Sequence, residues 1–243
     1  MKSFFTFICL LFSFGIMAQS LAGSWKLTEL NGAPITDKEI IRIYQDNYFA
    51  EGAKDIKTNE FLWAQGGKYN DVDYSTILDF HTKYPKLIGQ ENDPKLEFVN
   101  EDQIQINNVK EVEVWKRISD EENELSGNWV ITGRKRDGEM DNITPGDRRT
   151  IKILAGDRFQ WIAFNSATGE FFGTGGGTYT TEDGKYVENI DFFSRDNNRV
   201  GASLEFKFEV RNGEWHHSGK SSKGDPIYEI WSPYSDAYKI EEK

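Results

Sequence analysis

The feature that most constrains this chain is an internal duplication, because a repeated unit must bury its apolar face twice in the same way. Leu21-Ala22-Gly23-Ser24-Trp25 returns as Leu125-Ser126-Gly127-Asn128-Trp129. Arg42-Ile43-Tyr44 with Phe49 returns as Lys152-Ile153-Leu154 with Phe159. Asn59-Glu60-Phe61 and Gly66-Gly67-Lys68-Tyr69 return as Gly169-Glu170-Phe171 and Gly176-Gly177-Thr178-Tyr179. Tyr74, Asp79-Phe80, Ile88-Gly89, Leu96-Glu97-Phe98 and Glu113-Val114-Trp115 match, in the same order, Tyr186, Asp191-Phe192, Val200-Gly201, Leu204-Glu205-Phe206 and Glu229-Ile230-Trp231. The offset grows from 104 (Trp25 to Trp129) to 116 (Trp115 to Trp231), as small loop insertions would produce.

Each copy reads as β structure. Leu204, Phe206, Phe208 and Val210 alternate with Glu205, Lys207 and Glu209, the period-two pattern of a half-buried antiparallel strand. Asn212-Gly213 follows, a hairpin turn in which both residues tolerate positive φ. Eight such runs are expected in the second copy, near 127–134, 149–154, 157–164, 171–181, 185–194, 202–210, 214–220 and 227–232, with no long amphipathic helix between them. The expected fold class is therefore all-β: two tandem antiparallel up-and-down β-barrels of about eight strands each, since closure removes exposed edges. An open two-sheet sandwich is the alternative. Gly173, Gly175 and Gly177 share one strand face, which reads first as packing room for Trp129 or Trp161 and second as space for a ligand.

The chain opens with Met1-Lys2-Ser3, an apolar run from Phe4 to Met17, and small residues at Ala18 and Ser20. This is the layout of a secretory signal peptide, and the run is too short for the roughly 20 apolar residues of a transmembrane helix. The expected organisation is a signal peptide at 1–18, a first domain at 19–118, an acidic linker at 119–124, a second domain at 125–233 and a polar tail at 234–243. Export places the protein in the periplasm or outside the cell. The single cysteine, Cys9, lies in the signal segment, so the mature chain has no disulfide and no thiolate chemistry and must rely on apolar cores. The formal charge of −11 disfavours partnership with nucleic acid or an anionic lipid surface.

Gly23-x-Trp25 and Gly127-x-Trp129 resemble the first strand of lipocalin-like (calycin) barrels. A longer string is more distinctive: Phe159-Gln160-Trp161, Gly175-Gly176-Gly177-Thr178-Tyr179, Tyr186-x-Glu188, Val200-Gly201, Trp215-x-x-Ser218-Gly219-Lys220 and Glu229-Ile230-Trp231. It is similar to a family of small secreted lipocalin-like domains of Gram-negative bacteria. The resemblance covers nearly all of 125–233 and the first copy more loosely, with Thr76 in place of Glu188 and no clear counterpart of the Trp215-to-Lys220 segment. It implies a barrel and a pocket, not a reaction, and it implies that the first copy has lost any site the string builds.

Catalytic constellations are not legible. His216 and His217 are adjacent on a strand and point to opposite faces, so a shared metal is not expected; His81 stands alone. There is no Gly-x-Ser-x-Gly elbow, and no phosphate-cradling glycine loop precedes Lys220-Ser221. The best single candidate is Glu188, which alternates with Tyr186, Ile190 and Phe192 on an inward face and would need His217 or Arg149 to offset its burial. The leading expectation is a non-catalytic binding module without a cofactor or a metal. Its small apolar or amphipathic ligand would lie in an open cavity of the second copy, lined by Trp161, Tyr179, Tyr186, Glu188, His217 and Trp231. The alternatives are a protein-interaction module of the bacterial envelope with filled barrels and, more weakly, a hydrolase or isomerase using Glu188.

Overall fold

The computed structural model describes residues 19–221 and 223–238; the expected signal peptide at 1–18 lies outside the described residues. The first copy forms β1 (Gly23–Leu30), β2 (Ala33–Pro34), β3 (Lys38–Gln45), β4 (Tyr48–Asp55), β5 (Phe61–Tyr69), β6 (Thr76–His81), β7 (Glu91–Asn92), β8 (Lys95–Asn100), β9 (Gln103–Asn107) and β10 (Val112–Ser119). The second forms β11 (Gly127–Arg136), β12 (Glu139–Asn142), β13 (Arg148–Ala155), β14 (Arg158–Asn165), β15 (Phe171–Glu182), β16 (Lys185–Phe193), β17 (Ser203–Arg211), β18 (Glu214–Lys220) and β19 (Pro226–Pro233), followed by a short helix α1 (Tyr234–Ala237). No described helix is long and apolar enough to cross a membrane.

All-β architecture with antiparallel neighbours holds in both copies, but they close differently. In the second copy the order β11-β13-β14-β15-β16-β17-β18-β19 returns to β11, giving a closed eight-stranded barrel with β12 as an extra strand on β11. In the first copy the order β7-β6-β5-β4-β3-β1-β10-β9-β8 ends in two free edges, so the sheet is a strongly curled half-barrel. The cause is local. In the second copy β15 and β16 run out to Glu182 and Lys185, and β16 pairs with β17 from Lys185↔Lys207 to Asn189↔Ser203. In the first, the turn Asn70–Ser75, with Tyr74 at φ 62°, cuts the corresponding hairpin short. Pro94 also precedes β8 and lacks a backbone donor. Tyr74 and Phe98 still meet edge-on, with ring centroids 6.3 Å apart, where the second copy has the paired Tyr186↔Phe206. The side-chain contact outlives the backbone ladder.

The glycines serve close approach. Register slips occur at Gly66/Gly67 and at Gly176/Gly177. A Cβ on Gly177 would stand 1.9 Å from the Asn189 carbonyl oxygen, and one on Gly175 would stand 2.7 Å from the Trp161 indole nitrogen. These positions are packing room, and the bulges tighten the curl of both sheets.

A shared apolar seam joins the two sheets. Ile43, Tyr48, Ala50, Ala64 and Phe80 pack with Val130, Ile151, Ile153, Ile162 and Phe164 in one buried cluster. Strands β3 and β13 are equivalent in the repeat and face each other across it, and Phe61 stacks on its own repeat partner Phe171 at 6.4 Å. The seam is thus a pseudo-twofold contact within one chain. Polar links border it: Asn128 N donates to Asp46 (2.9 Å), Lys54 donates to the Asp191 carbonyl (3.3 Å), and Arg149 pairs with Asp79 (3.7 Å). The expected polar tail is packed down over 234–238. Tyr234 is buried, contacts Tyr48 at 5.2 Å and receives a hydrogen bond from Arg149, while the Tyr238 ring lies under the same guanidinium.

Phe164 is fully buried and its ring lies 5.2 Å from that of Phe80 across the seam. Phe164→Ala is expected to lower the unfolding free energy by about 3–5 kcal/mol, read from urea melts followed by tryptophan fluorescence. An unchanged midpoint would mean that the seam contributes nothing to stability.

Candidate functional site

The six residues expected to line a pocket in the second copy are brought together, but as a packed core. Tyr179, Tyr186 and Trp231 are buried in one cluster with Leu125, Trp129, Phe206 and Trp215, and Glu188 and His217 are buried against Tyr186. Trp161 is half-buried, with its ring against Phe193 at 5.5 Å and over Gly175. At the centre stands Lys152, absent from that set. Its Nζ donates to Glu188 Oε1 at 2.6 Å and lies 5.1–5.3 Å from the rings of Tyr186, Trp215 and Trp231. Tyr186 Oη also donates to Glu188 Oε1, at 2.8 Å. Glu188 is therefore offset by Lys152, not by His217 or Arg149. A buried carboxylate with a cation and a hydroxyl on one oxygen is a satisfied structural group. Lys152 was hidden in the sequence because a lysine on a strand reads as solvent-facing.

His217 faces Glu229 instead, with Nδ1 3.5 Å from Oε2. Burial pushes the His217 imidazole down. Burial would raise the Glu229 carboxyl, but His217, Arg134 and Lys152 outweigh it and hold its pKa at about 2. Arg134 makes two hydrogen bonds to Glu229 Oε1, of 3.1 and 2.6 Å, and Trp231 Nε1 donates to Oε2 at 3.2 Å.

The open space lies in the other copy. A cavity of about 540 Å³ occupies the concave side of the half-barrel, and all its lining residues fall between Leu21 and Trp115. The expected lining of the second copy is packed side chain against side chain, and the first copy has open space at positions outside the Tyr186-to-Glu188 string. Failure of β6 to pair with β8 leaves the first sheet open, and Ile104 stands where the second interior has Trp215.

The strand register defines the replacement. Arg42↔Glu51, Glu51↔Gln65 and Gln65↔His81 are paired across β3, β4, β5 and β6, so these four side chains form one polar row on the concave face. The equivalent row of the second copy is Lys152, Trp161, Gly175 and Phe193. Only the cation is retained. The row is wired together: Arg42 Nε donates to Glu51 Oε2 at 2.5 Å, Arg42 Nη1 donates to Tyr44 Oη at 3.0 Å, and Gln65 Nε2 donates to Glu51 Oε1 at 3.1 Å. The Arg42 guanidinium also lies 4.1 Å from the centre of the Trp115 ring. Burial raises the Glu51 carboxyl despite the opposing charge of Arg42. The Gln65 carbonyl oxygen is left as an acceptor.

His81 ends the row. Its Nδ1 accepts from the backbone N–H groups of Lys83 and Tyr84, both at 3.2 Å. That fixes the neutral ring as the Nε2–H tautomer. Burial, followed by the charge of Lys83, pushes its pKa down, which keeps it neutral. The Nε2–H has no protein acceptor among the described residues, although His81 is only 7% exposed and lines the cavity. Trp63, Tyr69 and Tyr74 supply aromatic wall. The sequence did carry a signal for this row: at repeat-aligned positions 51/161, 65/175 and 81/193 the first copy is polar and the second apolar or glycine. Among the described residues no group of three or more His, Cys, Asp or Glu could hold a metal.

The depressed Glu229 pKa makes an acid-stability prediction. A carboxyl held at about 2 contributes stability that is full above its ordinary value near 4.3 and is lost as pH falls through about 2. Thermal melts from pH 6 to pH 2 are expected to show a shallower acid decline for Glu229→Gln than for the unaltered chain. Parallel declines would show that Glu229 does not gain stability from ionisation.

Two comparisons with known proteins bear on the site. No curated protein matches the chain. A family model described as a domain of unknown function, DUF4488, matches residues 124–235. That span begins one residue before buried Leu125, includes the whole closed barrel and ends at the start of α1, so the cavity-bearing first copy lies outside it. The filled barrel is thus the part of the chain that is similar to the DUF4488 model.

Proposed function

We propose that this protein is an exported, lipocalin-like, non-catalytic binding module whose ligand-holding copy is the first one. The closed second barrel acts as its rigid support. The observation that carries this reading is the cavity of about 540 Å³ on the concave face of the half-barrel, with a polar row running through aromatic walls. That volume falls within the range of small-molecule sites, about 300–1,000 Å³. Polar groups along one side and aromatic faces along the other suit a small amphipathic molecule. Its flat apolar body would lie against Trp63, Tyr69 and Tyr74, and its polar edge would meet Gln65 and His81. A neutral His81 Nε2–H donates and the Gln65 carbonyl accepts, so the row matches a ligand with both an acceptor and a donor.

Catalysis is the poorer reading. Arg42 and Glu51 neutralise each other at the floor, and Glu188 is enclosed by Lys152 and Tyr186. Both carboxylates are thus tied to a cation and a second hydrogen-bond donor within the protein.

Native mass spectrometry of the mature protein purified from its own host tests this, with denaturing extraction of any adduct. A small molecule is expected to accompany the unaltered chain and to be lost from Thr76→Trp, which places an indole in the cavity. Repeated recovery of empty protein from both would overturn the binding-module reading.

A further inference from the structure

The two copies treat one carboxylate differently, and the difference identifies the charge of the ligand. Glu113 and Glu229 are repeat equivalents, each followed two residues later by a tryptophan whose indole N–H it accepts. In the second copy both oxygens of Glu229 are occupied. Oε1 takes Arg134, its cross-strand partner on β11, and Oε2 takes Trp231 and faces His217. In the first copy the cross-strand partner of Glu113 is Leu30, and Ile106 stands where His217 does. Both neutralising neighbours have been replaced by aliphatic side chains.

Glu113 keeps only Oε2 engaged, by Trp115 Nε1 at 2.8 Å and by Arg42 at 3.6 Å. Arg42 is itself committed to Glu51 through a 2.5 Å hydrogen bond. Oε1 of Glu113 makes no hydrogen bond or ion pair among the described residues, and Glu113, Leu30 and Ile106 all line the cavity. The wider lining carries Lys38, Arg42 and Lys83 against Glu51, Glu91, Glu111 and Glu113, and Lys38 is already bound to Asp37. Oε1 of Glu113 is left open to the cavity, free to accept from a cationic donor of a bound molecule.

We propose that the first-copy cavity selects ligands carrying a primary amine or guanidinium, which occupies at Glu113 the place that the Arg134 guanidinium holds at Glu229. The unpartnered Nε2–H of His81, at the end of the polar row, is a separate donor for an acceptor group elsewhere on the same ligand. This inference rests on the binding-module reading above and adds the chemistry of its ligand.

The test uses three indoles of similar size that differ in charge: tryptamine, neutral 3-ethylindole and indole-3-propionate. Each is titrated calorimetrically into the full mature chain at neutral pH. Tryptamine is expected to bind at least about tenfold more tightly than the propionate, with the neutral compound between them. Leu30→Arg rebuilds the second copy's ion pair in the first and is expected to cut tryptamine affinity about tenfold while leaving 3-ethylindole within about twofold. Glu113→Gln is expected to do the same, and circular dichroism checks that both variants fold. Equal binding of all three compounds, or preference for the anion, would overturn the amine assignment while leaving the binding module intact. Tryptamine binding that neither variant weakens would also overturn it. Binding of none of the three would overturn both readings.

Discussion

The apolar seam between the two copies is the contact on which the rest of the structure depends. The first copy's curled sheet with two free edges has an apolar cluster of its own around Trp25, Ile104 and Trp115, and the seam adds a second on its outer face. Here the convex face of β3 and β4 is pressed through Ile43, Tyr48 and Ala50 onto Ile151, Ile153, Ile162 and Phe164 of the closed barrel. Strand β4 is consequently buried on both faces from Tyr48 to Ala53. One face is the seam and the other is cavity wall. The half-barrel is thus packed on both sides, through its own core and through the seam.

The two copies show how one duplicated sheet divides its tasks. Each retains a buried cation on its second long strand, Arg42 or Lys152, and a glutamate–tryptophan pair on its last strand. In the closed copy that cation sits among aromatic rings and meets Glu188, and the interior is filled. In the open copy the aromatic Trp161 becomes Glu51, Gly175 becomes Gln65 and Phe193 becomes His81. Two aromatic rings and a glycine give way to three polar side chains of similar total volume, and the cation is drawn to the wall by Glu51. The exchange turns the row polar, while the missing pairing of β6 with β8 keeps the sheet open.

Much of this was legible without coordinates. The ordered repeat identifies two equivalent sheets, and period-two alternation places the strands of the second copy within a few residues of where they lie. The glycine run reads correctly as packing room. The candidate site was not legible. Tyr186, Glu188, His217 and Trp231 do converge, as inward alternation implies, but whether converging side chains enclose a space or fill it depends on their summed volume. Glu51, Gln65 and His81 are singly unremarkable and sit on three different strands. They become a row only when the register of β4, β5 and β6 is known.

The sequence by itself determined the duplication, the all-β class and the inward or outward sense of most strand residues, because those follow from local periodicity and turn chemistry. Only the tertiary structure decided which copy closes, which is hollow, and that their backs are joined by a seam. Closure hangs on whether β16 meets β17 while β6 misses β8, a pairing between segments whose approach is set by the curl of every strand between them. Such non-local geometry is the sum of many small twists and bulges, and no single stretch of residues encodes it.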